Sequence, residues 1–138
     1  MSYVALAVLA MAAYGTTATL LKVGLRTVPP ETAAVVTNLI LVGAALGLAV
    51  YRGQTIVGQL SWGLHSGLVV LSGFTLSVAI LSYYIALSRG PASVVMPIFG
   101  MSMAFVAVAG MVILGEEIKA TKVAGILLAA GAVLLLTR

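Results

Sequence analysis

The chain has 138 residues, of which 62% are hydrophobic and 7% are charged, whereas a soluble domain has about 25% charged residues. This composition excludes a soluble globular domain and predicts an integral membrane protein in a lipid bilayer. The net charge of +4 comes from basic residues scattered between apolar stretches, so it predicts no nucleic-acid partner, and the absence of cysteine excludes disulfides and thiolate metal sites.

Charged residues divide the chain into five apolar segments, each close to the roughly 20 residues that a helix needs to cross a bilayer. Lys22 follows the first segment, Glu31 precedes the second, and Gly90 and Pro91 form the turn before the fourth. We therefore expect an all-α, multi-pass protein of the cell membrane, with residues 1–138 in a single transmembrane domain. The five predicted transmembrane helices cover residues 3–21, 32–51, 66–88, 92–114 and 121–136.

The distribution of basic residues does not determine the orientation of these helices in the membrane. An excess of Lys and Arg in the cytoplasmic loops normally sets this orientation. An odd number of spans places the two termini on opposite sides of the membrane. The N-terminal side then has three basic residues and the other side four: Arg52, Lys119 and Lys122 against Lys22, Arg26, Arg89 and Arg138. Two alternatives stay open, a fixed orientation that the count does not resolve, or insertion both ways with antiparallel pairing of two copies.

Polar side chains within the predicted spans are the candidates for solute binding, because they are costly in hydrocarbon and seldom face lipid. Tyr14 and Thr17 share one face of the first helix, and Ser72, Thr75 and Tyr83 follow one face of the third. We expect the faces with Tyr14 and Tyr83 to line one water-accessible cavity. For any single hydroxyl the alternative is a hydrogen bond to a backbone carbonyl. The substrate-binding candidates are Tyr14, Thr17, Asn38, Ser72, Thr75, Tyr83 and Ser102.

Pro97 falls inside the fourth predicted helix, where proline removes a backbone hydrogen bond and crowds the carbonyl four residues earlier. With Gly100 just beyond it, we predict a kink over residues 93–97 that is either a hinge or a static packing feature. Glu116, close in sequence to two lysines, is predicted either to gate the solute path or to belong to a solvated or capping cluster.

Within the spans, no residues combine into an activated nucleophile with its base, a carboxylate pair or a metal-ligand set. We therefore expect no enzyme activity, no metal site and no cofactor.

Four motifs follow one another along the chain: YGTTATLLKVGL at 14–25, YYIALSRGPASVVMP at 83–97, LGEE at 114–117 and AGILLAAGAVLLL at 124–136. Together they resemble the EamA-type domain of the drug/metabolite transporter superfamily over nearly the whole chain. The resemblance implies one half of a ten-helix transporter built from two inverted halves. It also implies a dimer, formed either by two copies of this chain or with a paralogue.

The resemblance further implies export or exchange of small organic solutes, such as amino acids, other metabolites or drug-like compounds, by alternating access. The related small multidrug resistance proteins have a glutamate in their first helix, where this chain has the polar stretch from Tyr14 to Thr17. This difference favours uniport or a neutral or zwitterionic solute. The alternative function is a membrane subunit or assembly partner that does not itself transport.

The near balance of basic residues predicts dual or weakly fixed insertion, because neither side has a clear excess of them. Two reporter domains fused to the C-terminus, one active in the cytoplasm and one active outside, should both give a signal. A signal from only one of them would contradict dual insertion.

Overall fold

The computed structural model describes residues 2–55, 58, 63–113, 115–117 and 119–137, and in these residues every regular element is an α-helix. Within them, four apolar helical spans are long enough to cross a membrane, and one of these is a 21-residue span in two parts; the shorter apolar helix Ala120–Leu136 follows. The predicted all-α membrane fold is confirmed. The helices are α1 (Tyr3–Gly24), α2 (Pro30–Tyr51), α3 (Leu64–Arg89), α4 (Ala92–Gly100), α5 (Ser102–Val112) and α6 (Ala120–Leu136).

The first three helices are each longer than predicted. α1 continues past Lys22 to Gly24, and α3 begins at Leu64. A charged residue marks the limit of the hydrocarbon core rather than the end of a helix, because a long basic side chain can lay its stem along apolar surface and keep its charge at the interface. The predicted end of the fourth helix, Leu114, lies outside the described residues.

The fourth span is broken at Met101, whereas the sequence predicted one helix over residues 92–114 with a kink at 93–97. Helix α4 includes Pro97 and continues to Gly100. The N–H of Met101 then donates to the Pro97 carbonyl at 3.2 Å and to the following carbonyl at 3.1 Å, which tightens this turn toward 3₁₀ geometry. The break therefore follows Gly100, whose backbone is the least restricted in this segment.

The helices form two compact units. We call Met1–Leu20 with Arg89–Arg138 the terminal unit and Leu21–Ser88 the central unit. In the central unit, the Lys22 ammonium donates a hydrogen bond of 2.7 Å to the Leu87 carbonyl. This carbonyl lies in the last turn of α3, where carbonyls have no intrahelical donor and the helix dipole is negative. Lys22 thus joins the end of α1 to the end of α3.

Two hydroxyl groups join α2 to α3 in the central unit. Thr37 Oγ1 lies 2.8 Å from Tyr84 Oη and 2.9 Å from the Ala33 carbonyl oxygen. Because a carbonyl can only accept, the Thr37 hydroxyl donates to Ala33, and the Tyr84 hydroxyl donates to Thr37. Tyr84 and Ala33 are both buried, so this chain of hydrogen bonds lies within the contact between the two helices.

Most other side chains of the spans are exposed. In the four long spans only 6% to 11% of the residues are buried within the chain, and Leu39, Phe74 and Phe105 are 65% to 76% exposed. Lipid tails are as apolar as these side chains. A bilayer therefore solvates surfaces that would be unstable in water.

The hydrogen bond between Thr37 and Tyr84 should be measurable as a coupling between the variants Thr37→Val and Tyr84→Phe. Thr37→Val removes the acceptor and leaves the buried Tyr84 hydroxyl without its partner. The double variant should therefore lose less stability than the sum of the losses of the two single variants. We expect a coupling of about 0.5–1.5 kcal/mol in unfolding experiments on the protein in detergent. The exposed Tyr51→Phe is the matched control, and additivity within about 0.3 kcal/mol would contradict the contact.

Candidate functional site

A groove of about 470 Å³ runs between α2 and α3 in the central unit. We call it the α2–α3 groove and define it by its three polar lining residues, Glu31, Asn38 and Ser77. Its other lining residues are apolar, including Val35 and Leu76. Small-molecule sites are typically concave, mostly apolar and about 300–1,000 Å³ in volume, so this groove has the size and lining of such a site.

Glu31 and Asn38 lie on the same face of α2, because seven residues make about two helical turns. The Asn38 Nδ2 donates to the Ala34 carbonyl at 2.7 Å, which fixes the orientation of the amide and turns its Oδ1 away from that carbonyl. Glu31 lies in the first turn of α2, where the helix dipole favours a carboxylate. Among the described residues Glu31 has no ion-pair partner, whereas Glu116 and Glu117 each pair with a lysine.

Three of the predicted substrate-binding hydroxyls donate to backbone carbonyls of their own helices. The Thr17 hydroxyl donates to Ala13 at 2.9 Å, and the Ser72 and Thr75 hydroxyls donate to carbonyls three residues earlier at 2.7 and 2.9 Å. A hydroxyl has one proton. In this conformation each of these hydroxyls can therefore accept a hydrogen bond from a solute but cannot donate one.

The remaining candidates in the spans differ in their surroundings. Tyr14 is 40% exposed, and its ring stacks on that of Phe99 in the terminal unit with centroids 5.8 Å apart. Tyr83 in the central unit is 5% exposed and meets the ring of Tyr84 edge-on. Ser102 is exposed at the first residue of α5. In this conformation a ligand can reach Tyr14 and Ser102, but Tyr83 is buried.

A second groove of about 340 Å³ lies in the terminal unit between the broken span and α6. We call it the α5–α6 groove; its walls are mainly small or apolar side chains, with Glu116 and Lys122 also lining it. Gly100 lines the same groove. The structure thus brings together a predicted hinge residue and the predicted gate residue.

A tight turn folds Glu116 back onto α5. Gly115 has a φ of +67°, which favours glycine, and the Glu116 N–H donates to the Gly110 carbonyl at 3.1 Å. A Cβ at Gly110 would lie only 3.1 Å from the Glu116 Cδ, so the missing side chain makes room for the carboxyl group. The Glu116 Oε2 lies 3.1 Å from the Lys122 Nζ, and both side chains are substantially exposed.

Three residues of these sites carry no role in the sequence-based prediction. In that prediction Glu31 serves only as the boundary of a helix. Its spacing to Asn38, about two helical turns, already places the two residues on one face of that helix. Ser77 is one of many serines in an apolar span, and only packing shows that it lines the groove. Phe99 stacks on Tyr14, which lies far from it in the sequence, so no local sequence pattern indicates this contact.

The apolar spans, their exposed surfaces and the two grooves define a multi-pass, all-α integral membrane protein. Comparison with known protein families matches residues 1–138, the whole chain, to the EamA-like transporter family. The chain belongs to this family, which confirms the resemblance drawn from the four motifs and identifies a transporter family rather than an enzyme family. Searches among curated proteins and solved structures gave no significant match.

The ion pair between Glu116 and Lys122 should contribute little to stability. Exposed ion pairs are worth about 0–1 kcal/mol, so Glu116→Gln should lower the free energy of unfolding by less than about 1 kcal/mol. Glu117→Gln is the matched control, since Glu117 forms a similar exposed pair with Lys119 at 3.2 Å. A loss above about 2 kcal/mol for Glu116→Gln alone would show a structural clamp instead of a pair that opens readily.

Proposed function

We propose that this protein transports small organic solutes, such as amino acids, other metabolites or drug-like compounds, across the cell membrane by alternating access. The observation that carries the proposal is the match of the EamA-like transporter family to residues 1–138. The two grooves support it, because each is large enough to hold a small organic molecule.

The transporting unit is a dimer, either of two copies in opposite orientation or of one copy with a paralogue. The ten-helix transporters that this chain resembles have two inverted halves around a central site, and residues 1–138 correspond to one such half. Small residues such as Gly125 and Ala129 let a second backbone approach α6 closely. The largely unburied spans leave surface for such a contact.

Alternating access needs parts that move, and the terminal unit has two of them. The break at Met101 allows α4 and α5 to change direction relative to each other, as interrupted helices do in other transporters. The pair of Glu116 with Lys122 is weak enough to open when a solute binds. Gly100 lines the α5–α6 groove beside both features, so it and Pro97 act as the hinge and Glu116 as the gate.

The experiment that tests this function uses the full chain in two stages. A thermal-shift screen against amino acids, sugars, nucleosides and amines finds a ligand, and that ligand is then labelled and offered to proteoliposomes. We expect uptake that exceeds that of protein-free vesicles and is competed by unlabelled ligand. Binding without uptake would overturn transport and favour the alternative, a membrane subunit that does not itself transport.

Replacing Pro97 tests the hinge. Pro97→Ala restores a backbone N–H and removes the crowding of the carbonyl four residues earlier, so it should stiffen the fourth span. We expect the folded fraction and the dimer to be unchanged in size-exclusion chromatography and the uptake rate to fall severalfold. An unchanged uptake rate would show that Pro97 is a static packing feature.

Cysteine labelling tests whether Tyr14 faces a water-filled path. Only the thiolate reacts with a maleimide, and it forms where water reaches the thiol, while the chain has no native cysteine to interfere. Tyr14→Cys should react with a membrane-impermeant maleimide in intact vesicles. Leu9→Cys is the control on the same helix: Leu9 lies about 140° around α1 from Tyr14 and is more exposed, 59% against 40%, but should face lipid and stay unlabelled. Equal labelling of both, or of neither, would contradict the path.

A further inference from the structure

The polar atoms of the α2–α3 groove are nearly all hydrogen-bond acceptors. The Ser77 hydroxyl donates its only proton to the Gly73 carbonyl at 2.9 Å, so its oxygen can only accept from a ligand. One N–H of Asn38 donates to the Ala34 carbonyl at 2.7 Å; the second N–H can still donate, and the Oδ1 remains an acceptor. Glu31 adds a carboxylate, which accepts through both oxygens.

The charge on the described lining residues of the groove is negative. Its described lining residues include one carboxylate and no lysine, arginine or histidine. The Glu31 carboxylate has no hydrogen bond or ion pair to any described residue. A ligand with a carboxylate of its own would find no cation here, which disfavours anions and zwitterions.

The dimensions of the groove limit the ligand further. Glu31 and Asn38 lie about 10 Å apart along the axis of α2, and apolar side chains of α2 and α3 line the rest of the groove. A molecule that reaches both residues needs donors at its two ends and an apolar body between them.

We infer that the α2–α3 groove binds an amphipathic organic ammonium, with its ammonium group on Glu31 and a second donor on the Asn38 Oδ1 or the Ser77 Oγ. The inference rests on the proposed function, because this ligand is taken to be the transported solute. It proposes a cationic solute, whereas the missing glutamate of the first helix by itself favours a neutral or zwitterionic one. Glu31 supplies a carboxylate from the second helix instead.

Binding of tyramine to the full chain tests the inference. Tyramine has an ammonium group, an aromatic body and a phenolic donor; tyrosol replaces the ammonium group with a neutral hydroxyl, and 3-(4-hydroxyphenyl)propionate replaces it with an anion. In nanodiscs of phosphatidylcholine, which has no N–H donor in its headgroup, calorimetry should show at least tenfold tighter binding of tyramine than of either analogue. Equal affinity for tyramine and tyrosol would overturn the inference.

Substitutions of Glu31 and Asn38 test whether tyramine binds in the α2–α3 groove. Glu31→Gln should weaken tyramine binding at least tenfold and leave tyrosol unchanged, whereas Glu31→Asp should retain most of the preference. Asn38→Leu should weaken both ligands to a similar degree, because both carry the phenolic donor. Glu117→Gln removes a carboxylate outside the groove and is the matched control. Tyramine binding that is unaffected by Glu31→Gln would overturn the site.

Two further measurements separate the remaining outcomes. If tyramine fails to bind in phosphatidylcholine and Glu31→Gln changes thermal stability only when phosphatidylethanolamine is added, the occupant is a lipid ammonium and the inference is overturned. Glu31-dependent binding without uptake into proteoliposomes leaves the site standing and overturns transport. Uptake of another solute, with tyramine binding independent of Glu31, leaves transport standing and overturns the site.

Discussion

Hydrocarbon offers no hydrogen bonds, and this constraint governs the structure of the whole chain. It forces the backbone into helices, and it also makes the hydroxyls of the spans donate to nearby carbonyls, as Thr16 does to Ala12 and Ser77 does to Gly73. At the end of α3, where the last carbonyls have no helical donor, Lys22 reaches Leu87 from another helix. These polar side chains therefore donate to backbone carbonyls, which leaves fewer of their protons for a solute.

The same constraint shapes what the grooves can bind. A hydroxyl that has given its proton to a carbonyl presents only lone pairs to a ligand. In the α2–α3 groove this leaves acceptors beside the carboxylate of Glu31. The α5–α6 groove instead holds a carboxylate that is already paired with Lys122. The polar atoms of the first groove are thus mainly acceptors, whereas the carboxylate that lines the second groove already has a partner.

Local sequence signals located the helices well and their interruption less well. Proline weakens a helix at the turn before it, which is why the sequence predicts a kink at residues 93–97. The helix is interrupted only after Gly100, because a helix can pass through a proline when its other turns remain bonded, and the unrestricted glycine is the weaker point. Likewise the extension of α1 past Lys22 shows that the charge limits the hydrocarbon core and not the helix.

By itself the sequence determined that the solvent is a lipid bilayer, that the chain has five apolar segments, and which family it belongs to, because hydrophobicity, segment length and motif order are local properties. It also placed Asn38 and Tyr14 among the polar residues of the spans. Only the tertiary structure decided that Tyr84 binds Thr37, that Phe99 stacks on Tyr14 and that Ser77 shares a groove with Glu31. Each of these contacts joins separate helices, and a shift of one residue turns a side chain by about 100°. Pairing across helices therefore depends on packing register, which no local pattern specifies.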